Sequence, residues 1–391
     1  MVALAVVICT VASGGDATAA LEVEKVRVFP EPIRHLFGTP DQARGVLIGN
    51  TIQWLDDEWE TTQETEIRGE VSSSPNGEYY ALTYYAAPET LAGAELYQRP
   101  DRHLCDIEPY RNFVIANDGQ TVFGISSPPA RAASDVAVFS PPPTVVQRWR
   151  FLSEAPLVPT RGMSGPGDSL VLVDAEGRIH LFHPDQRLHT TVPAGPEDID
   201  GAPVEATLAP LGSDEVAVLT GHFANGERRT VLTVRSRSGR PLHRHEMPDM
   251  ASDGLVVTPG ADGIVVTISR PEFGLHAFDA NLRPQWMIPS TALAPPDWDV
   301  SARKLSVGVY DMSSDGRMIA GIARQDVRPM GQAELLVLTA TGKVSHRFRR
   351  PPEWEGGNLG VSLTARFSED GSGIYLALGR ALASLRIVDE E

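Results

Sequence analysis

His243 and His245 are two residues apart in a stretch that reads as a strand, so their side chains share one face and could grip a metal ion. No third ligand lies nearby in sequence, and the pair is expected to be exposed on an outer strand. His180 and His183 are three apart and would face opposite sides of a strand, a poor arrangement for a common ion. Asp198, Asp200 and Gly201 open like a calcium loop, in which alternate carboxylates converge on one hard cation, but no distal glutamate follows in register. Asp56, Asp57, Glu58 and Glu60 could supply the paired carboxylates of glycoside hydrolysis, a chemistry decided by their separation in space; a solvated turn is the default reading. No nucleophile elbow, phosphate-binding loop or zinc-peptidase helix is present. The expectation is no catalytic set, no metal and no cofactor.

Charge narrows the partners. With 34 Lys and Arg against 51 Asp and Glu the net charge is −17, which argues against nucleic acid and anionic membrane surfaces. The short basic groups at Arg228 and Arg229 and at Arg347, Arg349 and Arg350 read as solvated strand ends. No stretch beyond residue 20 approaches the roughly 18 apolar residues of a membrane-spanning helix, so no membrane insertion is expected.

The elements that must carry any site repeat along the chain. Turn signals centre on Asp41, Asn76-Gly77, Asp118-Gly119, Gly167-Asp168, Asp214, Asp262-Gly263, Asp315-Gly316 and Asp370-Gly371, at spacings of 35, 42, 50, 46, 48, 53 and 55 residues. Each is followed by a short apolar run, a loop, a second apolar run and another turn. A period of about 40 to 50 residues is what four strands and their turns occupy in one blade of a β-propeller. Asp-Gly and Asn-Gly suit these turns because tight hairpins need positive φ. Middle strands such as 169–173 and 334–338 are continuously apolar, as strands covered on both faces must be. The expected fold is all-β, a single propeller of eight four-stranded blades, with seven as the alternative if residues 33–65 are irregular.

The ends bear on closure and destination. The last repeat has room for three strands, while residues 22–29 alternate in polarity ahead of the first repeat; this N-terminal segment is expected to supply the missing outer strand. The apolar run 2–12 followed by Ala17-Thr18-Ala19 reads as a signal peptide over residues 1–19, giving a periplasmic or secreted protein with one domain over 20–391. Loss of residues 1–19 would remove Asp16 and leave a net charge of −16. Cys105 would then be the only cysteine, which precludes an intramolecular disulfide; a small buried residue is expected there.

The order of strand, Asp-Gly turn, strand and loop resembles the WD40-like and pyrroloquinoline-quinone-like propeller repeats of bacterial exported proteins. The segment 277–286 resembles the quinone-type blade, whose tryptophan, here Trp286, docks against the next blade; residues 145–149, ending in Trp149, are a weaker copy. The adjacent cysteines that the resemblance would require over a quinone are missing. Only the scaffold is therefore implied.

Function is expected on the loops that join second to third strands and each blade to the next, because these emerge on one end of the ring. The candidate binding-face residues are Trp298 between Asp297 and Asp299, Trp354 beside Glu353, and Arg324, Arg328 and His222. An exposed aromatic flanked by charge is a common anchor for a partner, and the competing expectation is that both tryptophans pack between blades. The leading expectation is a monomeric, non-enzymatic extracytoplasmic scaffold that binds a protein or other macromolecule. The alternative is a lactonase-like or glycan-cleaving hydrolase with acidic loop residues at the channel mouth and a divalent metal.

Overall fold

The computed structural model describes residues 19–388 except 88–89, 127–132, 153–156, 166–168, 175–177, 184–187, 194–204, 212–214, 225–226, 237–238, 249–250, 258–262, 271–273, 299–304, 314, 325–332, 350, 352–353 and 355–360. Strands dominate, and the helical elements among the described residues are single turns at Pro40–Gln42 and Ser290–Leu293. No helix is long and apolar enough to cross a membrane.

Six sheets are free-standing, antiparallel and four-stranded, each made of consecutive strands. The first comprises Ile33–Phe37, Gly45–Ile48, Thr51–Leu55 and Thr61–Glu66. Glu70–Ser73, Tyr79–Ala87, Thr90–Gln98 and Arg102–Ile107 form the second. The third to sixth begin at Asn112–Ile115, Leu157–Gly165, Glu205–Leu211 and Ala251–Val257. All remaining strands belong to one eight-stranded sheet. The expectation of eight separate blades, and its alternative of seven, is therefore corrected: six blades stand alone, and the last two groups of strands are fused. The N-terminal strand Ala19–Val28 causes the fusion. Ala19 and Ala20 pair in parallel with His346 and Arg347, while Leu21 to Val28 run antiparallel along Ala381–Ile387. One strand thus serves two partners, because its backbone offers donors and acceptors on both edges.

The sheets stand side by side in a closed circle. From the second sheet onward the first strands of successive groups touch, the first and second sheets share a core of Phe37, Trp54, Tyr80 and Leu82, and Ile33–Phe37 meets Val361–Phe367 where the circle joins. The burial pattern explains the sequence pattern. Middle strands are buried on both faces, as in Ala333–Leu338 and Val122–Ser126. The outer strand Thr61–Glu66 alternates between half-buried and exposed because one of its faces meets water. Turns interlock neighbouring groups. Asn76 bonds through its backbone N–H and its side-chain amide to Asn117 at 3.0 Å each, the Trp286 Nε1–H donates to the Ala340 carbonyl at 2.9 Å, and Arg317 donates to the Gly371 carbonyl at 3.1 Å.

Two histidines inside this packing make stability depend on pH. His35 lies against Phe37 with its Nε2 2.8 Å from Ser73 Oγ, and burial pushes its pKa down to about 4. His189 stacks on Phe182 and His180 and is lowered to about 4 by burial and, secondarily, by His180. Both fold as neutral rings. The unfolded chain takes up these protons near pH 6.5 and the folded chain only near 4, so their stabilisation is complete above 6.5 and is lost as pH falls through that window. The melting temperature should therefore decline between pH 6.5 and 4, and His35→Gln should flatten part of the decline. A wild-type melting temperature that does not change across that range would refute the assignment.

Candidate binding cleft

The described residues form a cleft of about 280 Å³ between the outer strand of the first sheet and the face of the second. Thr65, Glu66, Ile67 and Arg68 line one side, and Tyr80, Leu82, Tyr84 and Tyr97 line the other. Local sequence explains the second wall. Tyr80, Leu82 and Tyr84 alternate along Tyr79–Ala87 and so share a face. Tyr97 is the cross-strand partner of Tyr80, and the two rings stack 5.1 Å apart at 10°. Phe37 and Trp54 support Tyr80 from below, with centroids 5.7 and 5.3 Å away. The Trp54 indole N–H donates to Thr65 Oγ1 at 3.0 Å, tying the floor to the opposite wall.

The mouth of the cleft is set by topology. Residues 67–69 join the first sheet to the second, and the second sheet turns from its second to its third strand between Ala87 and Thr90. In an antiparallel sheet the second and fourth strands end on the same side, so both connections lie at the loop-bearing end of the ring.

Polar chemistry gathers at Glu95. Its Oε2 accepts hydrogen bonds from the Tyr84 hydroxyl at 2.6 Å and the Tyr97 hydroxyl at 2.5 Å. These bonds hold its carboxyl below the usual range, while burial, with Glu95 adding to it, raises both phenols. The group is thus a carboxylate fixed by two phenol donors. Beside it, His103 Nε2 lies 3.0 Å from Asp106 Oδ1, and the His103 ring meets Tyr97 edge-on at 5.4 Å and 72°. Potential ligand atoms of Glu95, His103 and Asp106 all lie within 4.8 Å of one another, forming the one group of three metal-capable side chains among the described residues. A register shift produces this arrangement. Cys105 pairs with Leu96 and His103 with Tyr97, leaving Leu104 as an extra residue. His103 and Asp106 would take opposite faces of a regular strand, but the bulge turns both toward Glu95. Cys105 points the other way, packed partly buried against the cluster around Phe113 and Ile115.

The residues expected to form the binding face do not converge here. Trp298 is 6% exposed and sits in the core with Leu275, Leu293 and Leu305. Trp354 is 3% exposed and packs against Phe348 at 5.5 Å and against the cluster containing Leu21 and Leu385. Both rings join neighbouring groups of strands and offer no exposed anchor. Asp297 is exposed and accepts two bonds from Arg349 at 3.1 and 3.2 Å. Arg324 is half-buried at a strand end, paired in the ladder with Leu305. His222 pairs through its backbone with Arg229, and its side chain lies outside the described residues, as do Asp299, Arg328 and Glu353.

The other candidate chemistry resolves similarly. Asp56 caps its own turn by accepting from the N–H groups of Glu58 and Glu60 at 3.0 and 2.8 Å, while Asp57 and Glu58 pair with Arg44 and Lys25. This is a solvated hairpin turn. His243 is exposed, whereas His245 packs against Phe278 at 4.9 Å. The segment Asp198 to Gly201 lies outside the described residues.

The signal for the cleft is present in the sequence. Five of the eight tyrosines, Tyr79, Tyr80, Tyr84, Tyr85 and Tyr97, fall within one repeat. The bulge that assembles His103 with Asp106 has no such signature.

No family model matches the chain, and no curated protein matches it. Among solved structures, the chain is similar to the C-terminal WD40 domain of Sif2, with a TM-score of 0.56, 10% identity, and coverage of 95% of this chain and 100% of that one. It is also similar to a structure titled as the eukaryotic initiation factor, with a TM-score of 0.53, 12% identity, and coverage of 83% and 89%. At these identities the likeness establishes the fold, a WD40-type β-propeller.

Proposed function

We propose that this chain is a non-enzymatic, extracytoplasmic scaffold that grips a protein partner at the loop-bearing end of its ring, with the tyrosine-lined cleft as the point of contact. The observation that carries this reading is a cleft lined by Tyr80, Tyr84 and Tyr97, the first and last of them stacked, that reaches the connection at Ile67 and Arg68. Tyrosine gives large contact area at low entropic cost and is enriched where partners bind. A volume of about 280 Å³ suits one or two partner side chains better than a drug-sized ligand or cofactor. WD40-type propellers commonly serve as interaction scaffolds, which agrees with this role. The apolar run 2–12 ahead of Ala17-Thr18-Ala19 supports the extracytoplasmic location.

Site-specific photo-crosslinking tests the reading. A crosslinker in place of Arg68, at the cleft, should capture a discrete partner from the native extract. One in place of Asn281, in an exposed turn at the opposite end of the sheets, should not. Tyr84→Ala should abolish the Arg68 adduct. Equal capture from both positions, or an adduct indifferent to Tyr84, would refute the assignment.

A further inference from the structure

We propose that Glu95, His103 and Asp106 form a binding site for a zinc-class divalent cation on the outer edge of the second sheet, beside the tyrosine wall of the cleft. Their ligand atoms lie within 4.8 Å of one another, and His103 Nε2 and Asp106 Oδ1 are already 3.0 Å apart, a normal separation for two ligands on one ion. One imidazole with two carboxylates selects a first-row metal such as zinc over calcium, which takes six to eight oxygens.

The supporting groups argue for more than a surface ion pair. Glu95 is oriented by Tyr84 and Tyr97 through one oxygen, leaving the other for an ion, in the way that outer hydrogen bonds commonly fix a metal-binding carboxylate. His103 is held by the edge of the Tyr97 ring. Neighbouring charges are occupied elsewhere: Arg102 donates to Gln98 at 3.3 Å and Asp101 accepts from Gln63 at 2.6 Å. Cys105 faces the opposite side of the strand and takes no part. The cation would tie the third strand of the sheet to its exposed fourth strand. Three protein ligands leave a position for a donor from solvent or from a molecule seated in the cleft. The site stands whether or not the cleft takes a protein partner.

The test uses the full chain, stripped with chelator and titrated with Zn2+ by calorimetry, with Co2+ absorption as a second readout. One zinc per chain is expected, bound more tightly than Ca2+. His103→Ala and Asp106→Asn should each abolish uptake, and Tyr84→Phe should weaken it roughly 10-fold. Cys105→Ser and His243→Ala should bind as wild type does. Asp106 is well exposed, so Asp106→Asn keeps the test meaningful even if His103→Ala loosens the sheet; circular dichroism checks both. Absence of zinc uptake, preference for Ca2+, or uptake unchanged in Asp106→Asn would overturn the site.

Discussion

Deletion of residues 22–29 should leave a protein that no longer holds a stable monomeric ring. The segment carries most of the strand that runs along Ala381–Ile387 and all of its register from Glu22 to Val28. Each lost ladder hydrogen bond costs roughly 0.5–1.5 kcal/mol. Phe29, 2% exposed, is removed as well, and emptying a buried phenylalanine site costs about 3–5 kcal/mol. So is the Phe29 N–H bond to the Arg380 carbonyl at 2.8 Å, together with the Arg27 bond to Thr61 and the Lys25 pair with Glu58 at 2.9 Å. Against a typical total stability of about 5–15 kcal/mol these losses are decisive. The damage does not stop at energy. Residues 381–385, all buried in the intact chain, would become an open edge strand, the kind of surface that recruits another chain. Size-exclusion chromatography with light scattering should find aggregates, and the thermal transition should be lowered or lost. An unaltered melting temperature with unaltered elution would show that the ring does not depend on this strand.

How far the fold could be read from sequence depends on whether a feature is local. Residues 22–29 announced themselves by alternating polarity beside an incomplete last repeat, and hairpin turns such as Asp118-Gly119 and Asp370-Gly371 did so by chemistry that demands positive φ. What could not be read was the junction at Ala19 and Ala20, where a strand assigned to one group pairs for two residues with another. No side-chain pattern encodes that backbone choice, and it turns the expected separate blades into a fused sheet. The candidate site divides along the same line. The tyrosines of the second sheet were visible as a cluster, but the meeting of His103 with Glu95 depends on a one-residue bulge at Leu104. Trp298 and Trp354 could be read either as exposed anchors or as rings packed between blades, and their burial decides for packing. Flanking acids suggested exposure, yet an indole between sheets can lie buried while its neighbours in sequence reach water.

Gly77→Ala should be among the most damaging single substitutions in the chain, although it adds one methyl group to a turn. The residue has φ +69°, a conformation that costs a residue with a Cβ roughly 1–2 kcal/mol. Space is the larger problem. A Cβ at Gly77 would come to 2.3 Å from the Gly38 nitrogen and 2.4 Å from the Phe37 carbonyl carbon, and both are backbone atoms that no rotamer change can move aside. Relief requires the turn to lift away from the first sheet. That movement would strain the bonds from Asn76 to Asn117 and disturb Phe37, which packs on Trp54 at 5.0 Å and on Tyr80 at 5.7 Å beneath the cleft. The combined cost should reach about 3 kcal/mol or more, the scale of strain coupled to core disruption. Gly49→Ala is the matched control. Its φ is +56°, but the nearest atom to an added Cβ is the flexible Glu31 carboxylate at 3.4 Å, so only the conformational cost of about 1 kcal/mol applies. Urea denaturation of the two variants separates strain in φ from collision with the neighbouring sheet. If both lose the same stability, the turn of one group does not seat against the backbone of the group before it.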